Sequence, residues 1–271
     1  MKTSLALFAL ALSAVAVADD WRRPFRGSAF GIQSEIDFKY EEIWEDNGFY
    51  RTSTYKPFQN YGYDIPANEI RATFYEGGGF ASSDLVDGSL HAHSWSGAPV
   101  AFTDLETGRD FTGYTEAYAS SIIYDTITFT GDLGGRKVPM RLAVDGWASP
   151  GARVMAGLSI RRKGSYSYDA IRTWHAEGFH GSTTVDCDWF VPQEGVEYEF
   201  MADLTTYAYP NSFADFSHTA HFQWALPGGV GYTSASGVFT PGRIQAVPEP
   251  ASIVALAIGG LAVIRRRRAK R

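Results

Sequence analysis

An alternation of period two, cut at short intervals by turn-forming residues, constrains this chain more than any other feature. Val196, Tyr198, Phe200, Ala202 and Leu204 fall on one side of an extended backbone, and Glu197, Glu199, Met201, Asp203 and Thr205 on the other. Val138, Met140, Leu142 and Val144 form a second apolar face, and Val154, Ala156, Leu158 and Ile160 a third. Successive side chains of a strand point to opposite faces, so each segment reads as a strand with one buried side. The run Ile122 to Thr130 is rich in β-branched residues, which favour strands. Between these stretches lie Gly77-Gly78-Gly79, Asp87-Gly88, Asp132-Leu133-Gly134-Gly135, Asp145-Gly146, Ser149-Pro150-Gly151, Pro227-Gly228-Gly229 and Pro241-Gly242, all read as turns. Only Tyr40 to Asp46 offers a weak helical stretch. Many short strands with frequent turns predict an all-β, antiparallel β-sandwich or jelly-roll-like single domain. Within it, the segment around Asp215 to Val230 is expected to turn and pair with Tyr232 to Phe239 as a closing hairpin.

Both ends of the chain are of another kind. Lys2 precedes an apolar run from Leu5 to Val17, and Ala16-Val17-Ala18 places small residues at the −3 and −1 positions of a cleavage site. That is the layout of a secretory signal peptide over residues 1–18, cut after Ala18 by a signal peptidase. At the other end Val247-Pro248-Glu249-Pro250 leads into an uncharged run of 14 residues, Ala251 to Ile264, and then Arg265-Arg266-Arg267-Arg268-Ala269-Lys270-Arg271. A helix of that length spans about 21 Å, less than a hydrocarbon core of about 30 Å, but arginine stems snorkel and lengthen the effective span. The cationic cluster stays cytoplasmic under the positive-inside bias, so the middle of the chain lies outside the inner membrane. Pro248 and Pro250 cannot donate backbone hydrogen bonds and hold their neighbours extended, which leaves an exposed strip of backbone at the membrane face.

This tail resembles the PEP-CTERM sorting signal, and Gly259-Gly260 inside the apolar run fits the same family. The resemblance covers residues 247–271 and implies an exported protein, held transiently in the inner membrane by a short transmembrane helix. An exosortase would read Pro248, Glu249 and Pro250, while Arg265 to Arg268 act as the cytoplasmic stop. Delivery would be to the cell envelope or the extracellular polysaccharide matrix. Residues 19–246 are then the exported domain with its tether, which covers Thr240 to Val247.

Charge and cysteine content narrow the function. Without residues 1–18 and 251–271 the chain keeps 17 of its 24 Lys and Arg and all 30 Asp and Glu, a net charge of −13 in place of −6. Such a domain repels nucleic acid and anionic lipid. Its one cysteine, Cys187, forms no internal disulfide and reads as a buried, inert thiol, since Asp186 and Asp188 beside it raise its pKa.

No catalytic constellation stands out, and the sequence assigns no enzymatic activity. There is no Gly-x-Ser-x-Gly elbow, no phosphate loop after Gly77-Gly78-Gly79-Phe80, and no His-Glu-x-x-His helix. His91 and His93, two apart, project from one face of a strand, but two ligands do not make a zinc site. His218 and His221, three apart, point opposite ways, with His218 on the apolar face, and Gly178 separates His175 from His180. Asp186-x-Asp188 and Asp84-x-x-Asp87 offer oxygen atoms but not the spacing of a calcium loop, so no cofactor is assigned. The chain does carry 7 Trp, 15 Tyr and 18 Phe. Trp95, Trp147, Trp174 and Trp189 sit beside turn residues and polar neighbours, where an exposed ring can stack on a sugar. The expectation is a structural or adhesive protein of the extracellular matrix, with a carbohydrate-binding module as the alternative and a glycan-active hydrolase after that.

Overall fold

The computed structural model describes residues 30–45, 49–63, 67–74, 77–103 and 110–239. The signal peptide, the sorting motif, the apolar run and the arginine cluster lie outside these residues. Fourteen strands are described: β1 (Phe30–Glu45), β2 (Phe49–Tyr63), β3 (Ala67–Phe74), β4 (Gly77–Asp84), β5 (Ser89–Ser96), β6 (Val100–Thr103), β7 (Asp110–Gly131), β8 (Met140–Ala148), β9 (Ala152–Arg162), β10 (Ala170–Glu177), β11 (His180–Cys187), β12 (Glu197–Ala208), β13 (Ser212–Trp224) and β14 (Val230–Ser234). They form two antiparallel sheets, with no helix among the described residues. The first sheet runs β10-β9-β12-β7-β1-β2, with β6 and β14 also paired to β7. The second runs β11-β8-β13-β5-β4-β3. The all-β sandwich expected from the alternation is the fold observed.

The three apolar faces read from the sequence meet between the sheets. Tyr198, Phe200, Ala202 and Leu204 of β12 join Val154, Ala156, Leu158 and Ile160 of β9 and Met140, Leu142 and Val144 of β8 in one buried core. Its thickest part is aromatic. Phe200 lies 4.2 Å from Phe222 and 5.2 Å from Trp224, ring centre to ring centre, and Trp224 stands edge-on to Phe129 at 5.3 Å. Such offset and edge-to-face pairs add to the hydrophobic gain of burial. The sheets are also tied by hydroxyls. Ser121 Oγ donates to the Ser82 carbonyl at 2.6 Å, so in its 2.8 Å contact with Ser83 Oγ the Ser83 hydroxyl is the donor.

Four expectations are corrected. Tyr40 to Glu45, read as a weak helix, continue β1, held by registered pairing to β2 on one side and β7 on the other. Tertiary pairing overrides a weak local preference. Gly77-Gly78-Gly79 and Asp145-Gly146 are not turns but lie inside β4 and β8. The closing hairpin does not form: β14 leaves its predecessor β13 and pairs with β7 in the other sheet. That crossing depends on close backbone approach. A Cβ on Gly131, which has φ +91°, would sit 2.0 Å from the carbonyl oxygen of Gly229, whose turn returns the chain to β7. Asp132 N–H donates to that same carbonyl at 3.2 Å.

After β14 the chain turns inward and closes the sandwich edge. Ser236 binds Asp125 of β7 twice, through N–H at 3.3 Å and Oγ at 2.5 Å, and Phe239 stacks on Phe200 and Phe222 at 5.4 and 5.7 Å. Burial pushes the Asp125 carboxyl up to about 6, against the pull of these hydrogen bonds.

Candidate functional site

The register of the second sheet assembles a row of side chains on its outward face. Arg71 of β3 pairs with Phe80 of β4, Phe80 with His93 of β5, His93 with Asp215 of β13, Asp215 with Trp147 of β8, and Trp147 with His180 of β11. Directly beside it runs a second row, Gly78, Trp95 and Phe213, on β4, β5 and β13. The outward direction follows from the pleat, because Ala81, Ala92, Ala214 and Ala148, their strand neighbours, are buried in the core.

The aromatic members form a nearly continuous strip. Trp147 stands edge-on to Phe213 at 4.7 Å and to His180 at 6.1 Å, and is 49% exposed. Phe213 is the direct cross-strand partner of Trp95. The Trp95 indole lies down over Gly78: a Cβ there would meet ring atoms at 2.1, 2.5 and 2.8 Å. Glycine inside a strand weakens it and often marks a close approach, and here it leaves room for an indole against the sheet. Arg71 closes the far end with its guanidinium 4.2 Å from the Phe80 ring centre.

Polar groups interrupt this strip at one place. A β-bulge shifts the register of β13 between Phe216 and Ala220. Bulges re-aim side chains and backbone groups, and this one exposes the Ser217 carbonyl to His91, whose Nδ1 lies 2.7 Å away. A carbonyl only accepts, so Nδ1 of His91 carries the proton. Asp215 accepts from both the N–H and Oγ of Ser217 at 3.0 and 2.6 Å. Burial lowers the pKa of His93, opposed by the nearby Asp215 charge, so the ring favours its neutral form with one donor and one acceptor nitrogen.

The remaining candidates lie elsewhere. Trp174 packs against the core with its ring 5.0 Å from Phe179, while Trp189 follows β11 in a loop and is 41% exposed. His175 and His180 fall on different sheets across the bend at Gly178. The side chain of His218 is outside the described residues. Cys187 is buried, and burial raises its thiol to about 11, with Asp188 adding to the rise. Asp186 pairs with Arg141 at 2.7 Å, Asp84 accepts from Val86 N–H and Asp87 from Ser89 N–H, which are the bonds of a cross-strand pair and of turn formers. Among the described residues no three of His, Cys, Asp and Glu come together as metal ligands. On the first sheet Asp203 folds over Gly157, and burial raises its carboxyl to about 6. The sequence could place Trp95, Trp147, His91 and His93; it held no sign of Phe213, Phe80 or Asp215, which only cross-strand register brings to them.

Fold and site together describe a β-sandwich with an aromatic strip on one outer face. The family model of the PEP-CTERM protein-sorting motif matches residues 246–268, so the chain carries that motif, from just before Val247 to the last of the four consecutive arginines. It is an exported protein sorted through an exosortase. No curated protein matches the chain. Among solved structures, one described as "Structural basis for the promiscuous specificity of the carbohydrate-binding modules from the beta-sandwich super family" is similar at 7% identity, over 69% of this chain and 84% of that one, with a TM-score of 0.25. At that TM-score the likeness transfers neither site nor ligand.

Proposed function

We propose that this protein is a non-catalytic adhesive component of the cell surface or extracellular matrix, attached to extracellular polysaccharide by the outward face of its second sheet. The observation that carries the reading is the strip of Trp95, Phe213 and Trp147 on three adjacent strands, part of it open to solvent. Aromatic rings with polar groups beside them suit a ligand that is itself apolar on its faces and polar at its rim. The sorting motif supports the setting, because it marks the domain for export, outside the cell where such a polymer would be met. A signal peptidase would act first, the inner membrane would hold the precursor by its apolar run, and an exosortase would release it at Pro248-Glu249-Pro250. Replacing Glu249 with Ala tests the route: the full-length, membrane-held form should accumulate at the expense of the released form. Unchanged maturation in that variant would contradict processing at this motif.

A further inference from the structure

We infer that the strip binds an extended, neutral polysaccharide chain laid across the strands, built of pyranose rings whose hydroxyls are mainly equatorial. This rests on the reading of the face as the polysaccharide attachment site and names the class of polymer.

Three observations carry it. The first is direction. From Phe80 through His93, Asp215 and Trp147 to His180 the row crosses five neighbouring strands, β4, β5, β13, β8 and β11. At about 4.8 Å between strands that is roughly 19 Å, a track several sugar rings long. The second is the surface offered. Trp95 is laid over Gly78, and Trp147 packs edge to face on Phe213 at 82°, so the rings are braced by their neighbours and form a platform whose members are tilted against one another. A pyranose with equatorial hydroxyls turns its C–H bonds above and below the ring and can rest on such a platform, whereas axial hydroxyls would lose their water against it without a partner. The third is charge. Asp215 stands in the middle of the row and Asp145 lies beside Trp147 on the same face of β8, while Asp186 of β11 is already neutralised by Arg141 at 2.7 Å, in a domain of net charge −13. A polymer of uronic acids would bring carboxylates against carboxylates, while the hydroxyls of a neutral chain can donate to Asp215 and exchange hydrogen bonds with His93.

The test is calorimetric titration of the full-length chain in detergent micelles with a β-linked gluco-hexamer, its dimer and an oligouronate of matching length, at low and high salt. The hexamer should bind more tightly than the dimer, with little salt dependence. Trp147→Ala and Phe213→Ala should each weaken it about tenfold or more, the scale of one good ring contact, while Trp189→Ala, off the strip, should not. Gly78→Ala gives a second handle that deletes no ring: the added methyl must lift the indole, so binding should fall while the melting curve keeps a single cooperative step. Salt-sensitive, strip-dependent binding of the oligouronate alone would overturn the neutral class and leave the attachment face standing. Hexamer binding that survives both Trp147→Ala and Phe213→Ala, or no binding of any of these sugars, would overturn the site itself.

Discussion

Phe239 is the last described residue, and replacing it with Ala should cost more than its place after the final strand suggests. Its ring is 1% exposed, stacks on Phe200 and Phe222, and touches Tyr232 at 6.3 Å, while its carbonyl accepts from Tyr232 Oη at 3.1 Å. Truncating a buried Phe to Ala costs about 3–5 kcal/mol, transfer and cavity together. In a domain of this size each kcal/mol lowers Tm by about 2–4 °C, so a drop near 10 °C is expected, with a matching fall in the urea midpoint. Val238→Ala is the control. That side chain is 37% exposed, and surface truncations usually stay within about 0.5 kcal/mol. A Phe239→Ala variant as stable as the control would refute the idea that residues 235–239 close the sandwich edge.

Other consequences follow from the same geometry. Asp125 has a folded pKa near 6 against an ordinary 3.8, so its contribution to stability is present below about pH 4 and lost as pH rises through 6. Two units amount to about 3 kcal/mol, and Asp125→Asn should remove that part of the slope in urea titrations between pH 4 and 7, while Asp203 keeps a share. A variant with the full wild-type slope would contradict a buried, charge-penalised Asp125. The hydroxyl of Ser94 is buried with no hydrogen-bond partner among the described residues, so Ser94→Ala should be neutral or slightly stabilising in thermal melts. Cys187 should resist thiol reagents in the native protein at pH 8 and react once urea unfolds it; rapid native labelling would disprove its burial.

Much of the fold is legible because strand faces are written in period two. The inward residues of β8, β9 and β12 stand out in the sequence alone, since burial on one face forces the alternation. Long-range pairing is not legible in the same way. β1 and β7 meet over residues 30–44 and 111–125, and nothing local to Tyr40–Glu45 announces that. Glycine misleads for a related reason: Gly78 and Gly146 look like turn residues, but one makes room for an outward indole and the other for Phe216 on the inner side. The site suffers most. Trp95 and Trp147 are 52 positions apart, and Phe213, which joins them, belongs to a third strand. Their strip is a product of register, which a single sequence does not encode in any local pattern.

The most direct measurement is co-sedimentation of the processed protein with extracellular polysaccharide from cells that export it, comparing the native chain with a Trp147→Ala, Phe213→Ala double variant. The native protein should pellet with the polymer in a saturable way and the folded double variant should stay in solution. Equal pelleting of the two would show that attachment, if any, does not run through this face.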